Sequence, residues 1–82
     1  MKAQIISTKL TTTLEGVELK SFAILVQRRK LWVDASMEGV VFDEVAKSAT
    51  FDHTQFSYVA KTNENGTYLK LMPLFLLTQS QF

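Results

Sequence analysis

Val40-Val41-Phe42-Asp43-Glu44-Val45-Ala46-Lys47-Ser48-Ala49-Thr50 is the stretch on which the fold turns. Val41, Val45 and Ala49 recur at i, i+4 and i+8, with Phe42 and Ala46 beside them. That spacing is a helical stripe. Asp43 and Glu44 lie early and Lys47 lies late, which suits the helix dipole. The rival reading is a short strand over 40–42 after a Glu38-Gly39 turn. The stripe favours a helix.

Everything around that stretch reads as strand. Thr, Val, Ile, Phe, Tyr and Trp dominate, and such side chains pack well on a pleated surface. Strands are predicted over 2–11, 17–27, 31–37, 54–62 and 67–77. The glycines fall where turns are needed, at Glu15-Gly16, Glu38-Gly39 and Asn65-Gly66. Asn-Gly tolerates the positive φ angles of a tight hairpin, so 62–66 is the clearest turn. The order is strand, strand, strand, helix, strand, strand. Small open ribbons are unstable, and closure removes exposed edges. The predicted class is therefore mainly β: a small five-stranded OB-like barrel with one short helix between strands 3 and 4. A small SH3-like barrel or a two-sheet roll shares these strands.

The chain has 82 residues, enough for one domain with a thin core. It has no cysteine, which excludes a disulfide framework and a thiolate zinc site. Its 46% hydrophobic content is too high for a disordered tail. No apolar run approaches a membrane span. The opening Met1–Lys9 breaks its apolar run after two residues, unlike a signal peptide, so a cytoplasmic location is expected. The net charge of +1 hides a polarity. Residues 1–30 carry six cations against two carboxylates, and residues 31–64 carry two against six. A chain polarised in this way can bind an anion with one face.

The basic stretch is Gln27-Arg28-Arg29-Lys30-Leu31-Trp32. Three adjacent cations abut the only tryptophan, at the turn between the second and third strands. Alternation gives each strand two faces. In the second strand Val17, Leu19, Ser21, Ala23 and Leu25 oppose Glu18, Lys20, Phe22, Ile24 and Val26. In the third and fifth, Trp32, Tyr68 and Lys70 fall on the less apolar face. Trp32 is therefore expected to share a face with Lys20, Phe22, Tyr68 and Lys70, while Tyr58 lies near Lys61 on the fourth strand. Aromatic rings on a solvent face signal contact with a ligand or partner.

The run Leu71-Met72-Pro73-Leu74-Phe75-Leu76-Leu77 is apolar on both faces. So short a chain has little with which to cover it. Leu71, Pro73, Leu74, Phe75 and Leu77 are expected in a two-fold homodimer interface. His53 is the only histidine and reads as a surface turn residue; no metal site, cofactor loop or nucleophile–base constellation is evident. An enzyme is not expected.

The Met-Lys-x-x-Ile opening strand, the long second strand and the closing hairpin from Tyr58 through Asn65-Gly66 to Leu74 resemble, as a pattern, the small single-stranded-DNA-binding proteins of filamentous bacteriophages. The resemblance implies an OB-type dimer, a place in the host cytoplasm and a role in DNA replication. It also implies binding through exposed aromatics and cations. Here those are Lys20, Phe22, Arg28, Arg29, Lys30, Trp32, Tyr58, Tyr68 and Lys70. The cations would track phosphates while the rings stack bases. Two other functions use the same features. One is a protein-interaction module, such as a phage or plasmid accessory protein; the other is a structural subunit of a larger assembly.

Overall fold

The computed structural model describes residues 1–79, and the side chains of residues 1–76. The elements run β1 (Lys2–Thr12), β2 (Glu18–Val26), β3 (Arg29–Asp34), β4 (Val41–Asp43), β5 (Ser48–Thr50), β6 (Phe56–Asn63), β7 (Gly66–Pro73) and α1 (Leu74–Gln79). They form one seven-stranded sheet in the order β4-β5-β1-β2-β3-β7-β6. Every neighbouring pair is antiparallel except β3 and β7, which run parallel at Leu31↔Leu69 and Trp32↔Lys70.

The mainly β class holds, and all five expected strands are present. The five-stranded barrel with a helix is corrected. The stretch 40–50 is a β4–β5 hairpin, because its polar residues end any helix before it starts. The Asp43 carboxylate accepts hydrogen bonds from the backbone N–H groups of Val45 (3.1 Å) and Ala46 (3.0 Å). Lys47 then adopts φ 54°, in the left-handed region. Aspartate in this local competition with the backbone favours a turn over a helix. The apparent stripe buries little: Val41 is 71% exposed and Val45 97%. Phe42 and Ala49 turn inward instead.

The sheet curls without closing. β4 and β2 are three strand spacings apart, roughly 14 Å in a flat sheet. Yet the Phe42 ring lies 4.7 Å, centroid to centroid, from that of Phe22. Likewise Phe51, just after β5, meets Phe56 of β6 edge-on at 5.7 Å. The concave side thus becomes the core, built from Ala3, Ile5, Phe22, Ile24, Leu31, Val33, Val40, Ala49, Phe51 and Leu71. Gly39 takes φ +89° where a Cβ would stand 3.1 Å from the Phe56 ring, so both conformation and space call for glycine. In the segment leading to β6, the Asp52 carboxylate accepts from the Thr54 hydroxyl (2.6 Å) and N–H (3.0 Å), which holds its pKa below the ordinary value.

The apolar run 71–77 does not continue as a strand. β7 ends at Pro73 and the chain enters α1, with the Leu74 N–H donating to the Gln55 carbonyl at 2.9 Å. Leu71 (2% exposed) and Pro73 are buried inside the chain itself, so their expected role in a subunit interface is corrected. The concave curl supplies the cover that the sequence did not reveal. Leu74 and Phe75 remain exposed, and the side chain of Leu77 lies outside the described residues. Among the described residues no helix is long and apolar enough to cross a membrane.

Two substitutions separate the hairpin from a helix over 40–50. Phe22→Ala should destabilise by about 3–5 kcal/mol, since it empties the centre of the core. Val45→Thr should change stability by less than about 0.5 kcal/mol, since its side chain is in solvent. Urea denaturation of both variants checks this; a large loss from Val45→Thr would contradict the hairpin.

Candidate nucleic-acid interface

Opposite the core, the sheet presents an outer face whose membership follows from register. Ala23 pairs with Trp32, and Ser21 with Asp34. Trp32 pairs in parallel with Lys70, and Tyr68 with Lys61. Cross-strand partners share a face. The outer face therefore carries Ser21, Ala23, Lys30, Trp32, Asp34, Lys61, Tyr68 and Lys70.

A β-bulge adds Lys9 to this set. Ile5 pairs with Ile24, but Ser7 pairs with Ala23, so Ile6 is an extra residue in β1. One inserted residue reverses the facing of all that follow. Ile5 is thus in the core while Lys9, opposite Ser21, stands on the outer face. Plain alternation from Ile5 would send Lys9 to the core side, and no signal in the sequence marks Ile6 as the insertion.

Of these, Lys9, Ser21, Lys30, Trp32, Asp34, Tyr68 and Lys70 line an open groove of ≈ 460 Å³ together with the β6–β7 turn, which contributes Asn63, Asn65 and Gly66. In that turn the Asn65 N–H donates to Asn63 Oδ1 at 2.9 Å, and Gly66 takes φ 118°. Trp32 and Tyr68 are half-buried, which fixes each ring while leaving part of it to solvent. Lys30 Nζ lies 5.1 Å from the centre of the Trp32 ring system, within cation–π range. Ala23, directly across from Trp32, is fully buried; a larger residue there would meet the indole. Asp34 is the one carboxylate in the groove. It accepts from Ser21 Oγ (3.2 Å) and lies 3.6 Å from Lys70 Nζ, which ties down part of the site's charge. Three lysines, at 9, 30 and 70, line the groove against that single acid, and Lys61 pairs with Tyr68 on the same face.

Of the nine residues expected to bind, Lys30, Trp32, Tyr68 and Lys70 come together here. Lys20 and Phe22 do not. Phe22 pairs with Val33 and is 2% exposed in the core. Lys20 follows it to that side, pairing with Glu44 at 2.5 Å. The alternation of β2 was legible, but which of its faces met Trp32 was not. Val17, Leu19 and Leu25 made the odd-numbered face look like the core; they are 54%, 50% and 42% exposed.

The basic stretch is also divided. Gln27 and Arg28 form a two-residue turn, with φ 50° and 67°. Arg29 and Lys30 already belong to β3 and point to opposite sides. Arg29 meets Tyr58, its guanidinium carbon 5.4 Å from the ring centre. Among the described residues no group of three His, Asp or Glu side chains converges as a metal site. No protein-family model, characterised protein or solved structure matches this chain.

Two consecutive non-glycine residues in the left-handed region cost roughly 1–2 kcal/mol each. Replacing Gln27-Arg28 by Asn-Gly, the pair this turn type favours, should therefore stabilise by about 1 kcal/mol. That corresponds to a rise of about 4–8 °C in Tm for a domain this small. A fall in Tm would contradict the strained turn.

Proposed function

We propose that this chain binds single-stranded nucleic acid, DNA in the first instance, without sequence preference, through the outer-face groove. The observation that carries the reading is the convergence of Trp32 and Tyr68 with Lys9, Lys30 and Lys70 in one open groove. Neighbouring rings and cations from β1, β3 and β7 are what a flexible polyanion with stackable bases requires. Every base has a π-face, so stacking on Trp32 and Tyr68 is tolerant of sequence. The lysine ammonium groups neutralise phosphates and release their counterions. Asn63 and Asn65 add amide donors and acceptors at the mouth.

The activity proposed is binding rather than catalysis, in the cytoplasm, or in the host's if the chain is viral. It is the mode implied by the resemblance to the filamentous-phage proteins. A two-fold dimer remains part of the proposal. Among the described side chains of the 71–77 run, Leu74, Phe75 and Leu76 of α1 are exposed apolar surface for a second copy.

Fluorescence anisotropy of a labelled oligo-dT tests the binding site. With three lysines engaged, log affinity should fall against log salt with a slope near about −2. Trp32→Ala should weaken binding by about 1–3 kcal/mol, the contribution of one stacked base. Asp34→Asn should strengthen it, by removing the groove's one negative charge. Lys20→Ala should leave it unchanged. Absence of binding by the native chain at low salt would refute the proposal, and equal losses from Lys20→Ala and Trp32→Ala would misplace the site.

A further inference from the structure

We infer that a bound strand crosses the β2–β3 turn and enters a second groove on the other side of the sheet, where Tyr58 stacks a base and Arg29 holds a phosphate. This rests on the nucleic-acid reading above and extends it to a site outside the outer groove.

The second groove, of ≈ 210 Å³, is lined by Met1, Val26, Arg29, Phe51, Phe56 and Tyr58 among others. It repeats the chemistry of the first. Each has an accessible ring with a cation against it, at 5.1 Å for Lys30 and Trp32 and 5.4 Å for Arg29 and Tyr58. Tyr58 pairs with Leu71 across the β6–β7 ladder, so its ring rises from the core side, yet it is 42% exposed. None of the residues lining this groove is a carboxylate. Its lining carries the guanidinium of Arg29. The site is therefore electrostatically simpler than the outer groove, where Asp34 intervenes.

The link between the grooves is the turn itself. Alternation sends Lys30 to the outer face and Arg29 to the other, and Val26 pairs with Arg29 to close the hairpin after only two residues. Arg28 stands exposed at the tip, between the two. Three consecutive cations thus form a ridge that leads over the hairpin's end from one ring to the other. The guanidinium of Arg29 suits a phosphate, which it can hold with two parallel hydrogen bonds. The left-handed backbone at Gln27-Arg28 fits this use: strained residues persist where a site requires their placement.

Two labelled oligo-dT probes decide the matter, one of about four nucleotides and one of about sixteen, the ends of the range that a small single-strand-binding fold occupies. Both are titrated against the native chain, Arg29→Gln and Tyr58→Thr. The Thr variant removes the ring but keeps a residue suited to a strand, while the Arg29 side chain is exposed and its loss leaves the core intact. The short probe should bind all three proteins equally. The long probe should bind Tyr58→Thr roughly 5- to 150-fold more weakly than the native chain, the range of one stacked base. For Arg29→Gln the salt slope with the long probe should become shallower by about 0.7. Equal affinity of the long probe for the native chain and Arg29→Gln at every salt concentration would overturn the crossing, as would equal losses on both probes. Those outcomes leave the outer groove standing. Failure of the native chain to bind either probe would instead remove the nucleic-acid reading itself.

Discussion

The tilted packing of the Phe22 and Phe42 rings is the contact on which the rest depends. It joins β2 at the centre of the sheet to β4 at its edge, and only a curled sheet allows it. Curling gives a chain of this size a concave side deep enough to bury Ile24, Leu31, Val33 and Leu71. It also commits Phe22 and Ile24 of β2 to the core. Once Phe22 points inward, Ala23 must point outward, and the antiparallel register with β3 then places Trp32 on the outer face. The aromatic groove is thus a consequence of core packing on the reverse side of the same strands.

The bulge in β1 reconciles two demands that strict alternation sets against each other. The core requires Ile5, and the groove gains from Lys9, four residues later on the same strand. Even spacing would place both on one face. The extra residue, Ile6, is 45% exposed and has no place in the core, which is how an inserted residue behaves when its role is to re-aim its neighbours. The divided basic stretch obeys the same rule. A two-residue turn leaves Arg29 and Lys30 in the strand, where adjacent side chains must part.

Strand existence and the turn glycines were legible from residue type alone, because β-branched and aromatic residues between Gly16 and Gly66 leave few alternatives. The grouping of Trp32 with Tyr68 and Lys70 was legible too, since each lies on the less apolar face of its own strand. Three features were not. The 40–50 hairpin hid behind a periodicity of Val41, Val45 and Ala49 that two exposed valines produced without burial. The side of Phe22 depended on cross-strand register, which no single strand encodes. The fate of Leu71 and Pro73 depended on the curl, because only a sheet folded back on itself covers the face of β7 that carries them both. The side of Phe22 and the fate of Leu71 and Pro73 are long-range relations between strands, while the 40–50 hairpin is set locally by the Asp43 turn.

The central claim, that ligand binds on the face opposite Phe22, is tested most directly by following backbone and side-chain NMR resonances as oligo-dT is added at low salt. The Trp32 indole N–H and the resonances of Lys9, Lys30, Tyr68 and Lys70 should shift together and saturate at one stoichiometry, while those of Phe22, Lys20 and the β4–β5 hairpin stay in place. Shifts centred on Lys20, Glu44 and the β4–β5 hairpin, with Trp32 unmoved, would contradict the account.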